Sequence, residues 1–504
     1  MTPTPPPLNY NNFTIILGKS SRFDKQNNKL LSGNAGSWFK DQINKNGINI
    51  HECNITVANE NNIPASTTTI FLLGIEALRL FKQDVSLGEQ RGSPFTISLP
   101  TGRTVVCICS FAPQDAFDPR NYEDKFNKEE NEGGGKDERE DTEISAKTHG
   151  RTNRGNYRFW LSKDIDKICR IHKDGGKLNI VEPSLYIYPS QEEVIAELLK
   201  HKGKDFTIDI ETNPETCDIT VLSFCFTDKE DAVSIPLVWV IPVWLYNYTI
   251  AYENIYRIFA CIAVAMRDNR TVHHNGSGYD LFIFGYRYGL PFGIEQFDTM
   301  LSHHRCYPEQ EKSLGHLISL YTDFPYHKNT AGTYVPHSAK QEYDLWVYNG
   351  ADVHTTLYVK RAIEKYAAAI DAEESVEQVN RSIYPYLTMT FMGIRVDQEG
   401  VDKKIAENDR RINQLLRVLN ILVGRNINPR SNKDMPHYLY SKKDKGGLGL
   451  TIPHYTPDNN PACDATAIIK LFLKNPKVIT LRVILEIRRV QDESKALIFK
   501  PISW

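Results

Sequence analysis

The stretch from Phe206 to Thr212, FTIDIET, constrains this chain more than any other. Phe206, Ile208 and Ile210 alternate with Thr207, Asp209 and Glu211, the period of a β-strand with one apolar face. The alternation puts Asp209 and Glu211 on one side, roughly 6–7 Å apart at the strand rise. Carboxylates that close repel each other unless a cation lies between them. A hard divalent ion with oxygen ligands, Mg²⁺ or Mn²⁺, suits their chemistry. The competing reading is a solvated strand face that happens to carry acids, and residues further along must decide between the two.

A chain of 504 residues is too long for one core and implies two to four domains. Its formal net charge is −2, so contact with nucleic acid has to come from local basic patches. Nine cysteines occur without a CxxC pair, which argues against a structural zinc site or a disulfide framework; a reducing, cytoplasmic setting is expected. The start, MTPTPPPLNYNN, has neither the charged nor the apolar region of a signal peptide. No apolar run reaches the roughly 20 residues of a membrane span. The nearest, Ala232 to Tyr246, is broken by Pro236 and Pro242 and reads as a buried strand followed by a loop.

Residues 1–117 read as a small α/β domain. The strand-like runs FTIILG, TIFLLG and TVVCICSF alternate with the helix candidates AGSWFKDQINKNG and IEALRLF, and Gly18 and Gly74 stand at strand-to-helix turns. GNAGSWF (Gly33 to Phe39), FLLGIEAL (Phe71 to Leu78), Arg91-Gly92 and FAP (Phe111 to Pro113) together resemble the uracil-DNA glycosylase superfamily, particularly its family 4. Two departures imply that base excision is lost. Lys19-Ser20 stands where the family has its acidic, water-activating residue, and Ala112 stands at the catalytic histidine. Residues 118–156 are charged, glycine-bearing and almost free of large apolar side chains, so a disordered linker is expected, with a docking tail as the alternative. Gly133 to Gly135 followed by Lys136 is not a phosphate loop, since no strand precedes it.

From residue 157 to 372 the pattern is again α/β. A helix is expected over Ser190 to His201, then the FTIDIET strand, two strands (TVLSFCFT and AVSIPL), a helix from Ala251 to Arg267, and the strand TVHHN. Asp280 falls in the first turn of the next helix, where the helix dipole alone would favour an acid. Tyr348 and Asp352 are four apart, on one face of a later helix. In order and spacing, DIET, NGSGYD (Asn275 to Asp280) and YNGAD (Tyr348 to Asp352) resemble the three motifs of DEDD-type 3′–5′ exonucleases. The resemblance is to the tyrosine subclass that proofreads for family A DNA polymerases, and SLGHLISLYTDFPYHK (Ser313 to Lys328) resembles its phage-type members. It implies an RNase-H-like fold, with a mixed sheet and flanking helices, and a site holding two Mg²⁺ or Mn²⁺ ions.

By the same resemblance, Asp209 bridges both ions and Glu211 and Asp352 hold the one that activates water. Asp280 supports the other, and Tyr348 orients the attacking water. A phenol with a pKa of about 10 is a poor base, so positioning is the better role. The expected substrate is a DNA 3′ end, single-stranded or frayed, with Asn275 and Tyr279 as candidate contacts. His273, His274 and His354 read as structural or substrate-adjacent, because magnesium-type sites prefer oxygen. The aromatics Tyr279, Phe282, Phe284, Tyr286, Tyr288 and Phe292 read mainly as core, with one or two free to stack on bases.

Residues 373–504 resemble the helical, thumb-like opening of the family A polymerase region. The matching pieces are SVEQVNRSIYPYLTMTFM with GIRVD, NINPRSNKDMPHYLYSKK, and the long helix ITLRVILEIRRVQDESKALIF. A basic helix face bearing Lys403, Lys404, Arg410, Arg411 and Arg417 would track phosphates, with Lys403 and Arg410 as candidate DNA contacts; a solvated charged face is the alternative. No palm or fingers motif follows, so the expectation is a naturally split polymerase, whose palm and fingers are a separate polypeptide, or a truncated gene product. The reading is therefore a proofreading exonuclease that is part of a phage-like family A polymerase acting in DNA replication. The alternatives are a DNA-binding or assembly subunit with weak nuclease activity and, further off, a uracil-DNA glycosylase.

Overall fold

The computed structural model describes residues 12–58, 63–117, 157–230, 233–328, 334–456 and 460–497. The linker expected at 118–156 lies outside the described residues. The chain divides into two compact units, Met1–Met392 and Gly393–Trp504.

The first unit contains two sheets. In the first, β1 (Phe13–Leu17), β2 (Asn54–Val57), β3 (Thr69–Leu73), β4 (Phe95–Ser98) and β5 (Thr104–Ser110) lie in the order β2-β1-β3-β5-β4. Only β4 runs antiparallel to its neighbour, β5. Every residue of β1 and β3 is buried, as expected of parallel strands covered on both faces. One cover is α1 (Gly33–Lys45), which buries Phe39 and Ile43 four residues apart. Another is α2 (Tyr157–Lys173), whose Leu161, Ile165 and Ile168 join the same apolar cluster as Phe13 and Phe71. This corrects the expected boundary at residue 157: α2 packs with the first sheet because its apolar stripe completes that core.

The second sheet contains β6 (Ser184–Ile187), β7 (Asp205–Thr212), β8 (Ile219–Thr227), β9 (Leu237–Pro242), β10 (Arg270–His273) and β11 (Gln296–Asp298), in the order β11-β10-β7-β8-β9-β6. β7, β8 and β9 form an antiparallel meander, while β10 and β11 run parallel to β7. This mixed sheet, flanked by helices, is compatible with the expected RNase-H-like fold. On one face lie α3 (Gln191–Lys200), α4 (Ile255–Asp268) and α5 (Asp280–Tyr288), contributing Val194, Ile258, Ile262 and Phe284 to a core shared with Phe206, Ile208 and Ile210. α3 starts at a capping box in which Ser190 and Glu193 bond each other's backbone N–H. Next comes α6 (Leu314–Tyr321), and then α7 (Ala339–Ala369), which covers the opposite face through Leu345, Tyr348, Val353 and Leu357.

Three expectations shift. The strand read over AVSIPL starts instead at Leu237, because Pro236 has no N–H for a ladder and Val233 is exposed. The helix read from Ala251 starts at Ile255, where the Asn254 side chain accepts the N–H of Arg257. The C-terminal region read from residue 373 begins later: α8 (Ile383–Met392) buries Ile383 and Leu387 in the core of the second sheet.

The second unit is helical. α9 (Gln398–Val423) and α10 (Ile479–Leu497) share a core in which Leu419, Leu481, Ile484 and Ile487 meet Met435, Leu439 and Ile468. No helix among the described residues is long and apolar enough to cross a membrane.

Candidate metal centre

The site is built on the strand that anchors the second sheet. Asp209 and Glu211 lie on the α7 side of β7, while Phe206, Ile208 and Ile210 face the α4–α5 core. β7 is held at its other end by a buried charge network. Arg270 grips Asp205 with Nε at 2.6 Å and Nη2 at 2.9 Å, and Lys360 of α7 lies 2.7 Å from Asp205 and 2.7 Å from Glu364. Taking Lys360 and Asp205 out of water is costly unless the pairing is complete, and here it is. The network fixes the register of α7 along β7.

That register delivers YNGAD to the acids. A Cβ on Gly350 would come within 2.9 Å of Leu185 and 3.0 Å of Val240, so glycine allows α7 to close on the sheet. Tyr348 and Asp352 then point at β7, and ligand oxygens of Asp209, Glu211 and Asp352 come within 4.8 Å of one another. Asp280, the first residue of α5, accepts the backbone N–H of Ile210 at 3.0 Å and lines the same cleft as the two strand acids. The loop ahead of it is tightly made. The Gly276 N–H donates to Nδ1 of His273 at 3.0 Å, Asp298 accepts the Asn275 N–H at 3.1 Å, and Asn275 adopts φ +58°. The five expected catalytic residues are thus brought together from three elements.

The acids behave as a group. Burial pushes the Asp209 carboxyl well above the ordinary range, reinforced by Asp280, Asp352 and Glu211. Burial and the Asp352 charge push Glu211 up to about 8, and burial raises Asp280 to about 6. Asp352 is held low in spite of burial because Lys328 and His327 bond its two oxygens. Asp209, Glu211 and Asp352 bring carboxylate oxygens within 4.8 Å of one another, with Asp280 lining the same cleft, an oxygen-rich set that suits Mg²⁺ or Mn²⁺. Their mutual repulsion is the property a divalent cation relieves, so the residues fit the implied metal. Asp209, Glu211 and Asp352 would hold it.

Three contributors were not read from the sequence. Asn349 donates to Asp209 Oδ2 at 2.7 Å and accepts from Ser223, which faces Asp209 across the β7–β8 ladder. His327 Nε2 donates to Asp352 Oδ1 at 2.8 Å, and Lys328 donates to the Tyr348 hydroxyl at 3.0 Å. The last two end SLGHLISLYTDFPYHK, beyond the helix at Leu314–Tyr321. Of the candidate DNA contacts, Asn275 and Tyr279 line the cleft beside the acids, with the Tyr279 hydroxyl tied to Thr212. Lys403 and Arg410 lie on α9 in the other unit, where Lys403 pairs with Glu399 at 2.7 Å. Lys404 and Arg411 are paired with Glu493 and Glu486, so much of the expected basic face is neutralised by its own acids. His273, His274 and His354 are buried or partly buried and bond protein groups: Gln296, Thr299 and the carbonyl of Val181.

What fold and site define is a mixed α/β protein whose buried carboxylate cluster can hold a metal ion. No known protein family matches the chain, and no curated protein does. Among solved structures, the POL domain of Pol1 from M. smegmatis, in complex with DNA primer-template and dNTP, is 18% identical with a TM-score of 0.44. That match covers 63% of this chain and 48% of the other, so the chain spans about half of that polymerase domain. A nuclease in its apo form is 13% identical with a TM-score of 0.31, over 42% of this chain and 95% of that one. At such scores these likenesses carry no weight in the argument that follows.

Proposed function

We propose that the chain is a metal-dependent 3′–5′ exonuclease that removes nucleotides from DNA 3′ ends. The observation that carries this reading is the convergence of Asp209, Glu211 and Asp352 within 4.8 Å, with Asp280 hydrogen-bonded to the backbone between the first two. Bound divalent ions would supply an activated water and relieve negative charge on the scissile phosphate and leaving oxygen. The protein's own groups do the rest. Asn349 holds Asp209 in its rotamer, freeing its other oxygen to face the cleft. Burial and the neighbouring acids keep the Tyr348 phenol protonated, so its hydroxyl donates and orients a water without acting as a base. Lys328 sets that hydroxyl's position and shields part of the charge of Asp352. Proofreading for a family A DNA polymerase is the setting this activity fits.

Base excision by the first sheet is not favoured. Ala112, at the expected histidine position, is buried and apolar, and Lys19 is paired with Glu76 at 2.8 Å. The test is mononucleotide release from a single-stranded oligodeoxynucleotide in Mg²⁺. Asp209→Ala is expected to abolish release, and release at the wild-type rate would remove the assignment.

A further inference from the structure

The segment that brings His327 and Lys328 to the acids is anchored by the layer of the first sheet. α6 ends at Tyr321, and the residues from Thr322 to Lys328 form neither helix nor strand. With no ladder of backbone bonds to fix it, the segment takes its position from the side chains that hold its ends.

Cations of the first layer hold its start. Lys167 of α2 donates to three carbonyls: Gly92 at 2.9 Å, Thr322 at 2.7 Å and Ser319. All three N–H donors of the ammonium are thereby used. Ser319 and Thr322 lie at the C-terminal end of α6, where carbonyls run out of intrahelical partners and the helix dipole favours a positive charge. Arg170, three residues further along α2, pairs with the buried Asp323, whose other oxygen accepts the Asn179 N–H at 3.0 Å. Arg91 donates to Ser319 Oγ at 2.9 Å and to Asp164 of α2 at 2.8 Å. Gly92 has φ +69°, and a Cβ there would come within 2.6 Å of Asp164 Oδ1 and 3.3 Å of the Ser319 carbonyl, so glycine is what lets the joint close.

From this anchor the segment reaches the site in five residues, Asp323 to Lys328. Phe324 is buried beside Val359 and Ile363 of α7. Tyr326 and Lys328 pass over the start of α6: a Cβ on Gly315 would come within 3.0 Å of the Tyr326 ring and 3.3 Å of Lys328 Cγ. The segment ends with His327 and Lys328 on the two oxygens of Asp352, and with Lys328 3.0 Å from the Tyr348 hydroxyl.

On the nuclease reading above, we infer that Lys167 and Arg170 are positioning residues of the nuclease site. Neither lines the cleft. They act through residues 322–328, which carry their hold on the end of α6 to Asp352 and Tyr348. The first layer is thereby a working part of the nuclease, the mount on which one side of its site is set. Where the charges lie supports a mount over simple adhesion. Apolar contact is enough to join two layers, as Phe159 against Tyr307 does with ring centres 5.2 Å apart. Lys167 and Arg170 are spent instead on the single turn from which the segment departs.

The test is a double-mutant cycle on the full chain, with mononucleotide release as the rate. Lys167→Met is expected to lower kcat about 10- to 100-fold with KM unchanged, the loss typical of a side chain that orients a site from outside it. In a Lys328→Met background, where the segment has lost a group it delivers, the same substitution should cost much less. A joint that only adds stability would lower the melting temperature and leave kcat in place below it. That result, or the same factor in both backgrounds, would overturn the inference while leaving the nuclease reading intact. Should Lys167→Met fold poorly, Arg170→Gln carries the same test at a partly exposed side chain. Hydrogen exchange followed by mass spectrometry needs no activity: peptides spanning residues 317–328 should exchange faster in the variant, and unchanged exchange would overturn the mount. Faster exchange in the variant, with no nucleotide released even by wild type, would discard the nuclease reading and keep the mount.

Discussion

Asn349 shows how a neutral side chain can set a charged one. It links Ser223 to Asp209 across two elements, so its removal frees the carboxylate to rotate and leaves Ser223 without that partner. Asn349→Ala is expected to weaken Mg²⁺ affinity or turnover about 10- to 100-fold, read from Mg²⁺ titration of the nuclease rate. Tyr348→Phe makes a different prediction. It removes only a hydroxyl, so kcat should fall while the metal midpoint stays in place; a shifted midpoint would mean that Tyr348 acts on the ions. Strand alternation puts Asp209 and Glu211 on one face and helical spacing puts Tyr348 and Asp352 on another, while Asp280 and the grouping of all five come only from the resemblance to the exonuclease motifs. Asn349 stood inside the same YNGAD motif but its partner, Ser223, is set by the β7–β8 register, which no local pattern reveals. His327 and Lys328 come from a loop, where no periodicity exists to aim a side chain.

At the level of elements, the decisive packing is α7 on the sheet. Gly350 lets the helix approach, and the Asp205–Arg270–Lys360 network fixes where along β7 it sits. Gly350→Val should push α7 outward and cost activity through Tyr348 and Asp352 while leaving helix content, measured by circular dichroism, unchanged. Asp205→Ala leaves the buried Lys360 with only the partly exposed Glu364 as counter-ion and should destabilise the protein by about 3–5 kcal/mol in urea denaturation. A change below 1 kcal/mol would show that the network is not holding the strand. The apolar runs mark β1, β3, β5, β7, β8 and β10, whereas β2, β4, β6 and β11, three or four residues each, are too short to stand out in the sequence. AVSIPL reads as a strand by hydrophobicity, yet the ladder begins only after Pro236, which has no N–H to give it. α2 falls beyond the expected boundary because Leu161, Ile165 and Ile168 pack with Phe13 and Phe71, a tertiary contact that no local pattern shows.

Across the whole molecule, buried histidines tie stability to pH. Burial lowers His172, which stacks on Phe13 and bonds Thr69, to about 4, and lowers His303, held between Tyr321 and the Glu311 carbonyl, to about 4 as well. Their folded pKa values lie below the unfolded value of about 6.5. At these two sites the unfolded chain therefore binds more protons in that window, and their contribution to stability is lost as pH falls from about 6.5 towards 4. The raised carboxyls of Asp209, Glu211 and Asp280 act in the opposite sense, so the test is the difference between proteins: the melting temperature of His172→Gln should fall less than that of wild type across this range. The central claim, that acids from β7, α5 and α7 share divalent ions, is tested most directly by Mn²⁺ titration followed by electron paramagnetic resonance. Wild-type protein should remove about two ions per chain from the free signal, and Asp209→Asn should lose most of that binding. Equal uptake by the two proteins, or none by the wild type, would contradict it.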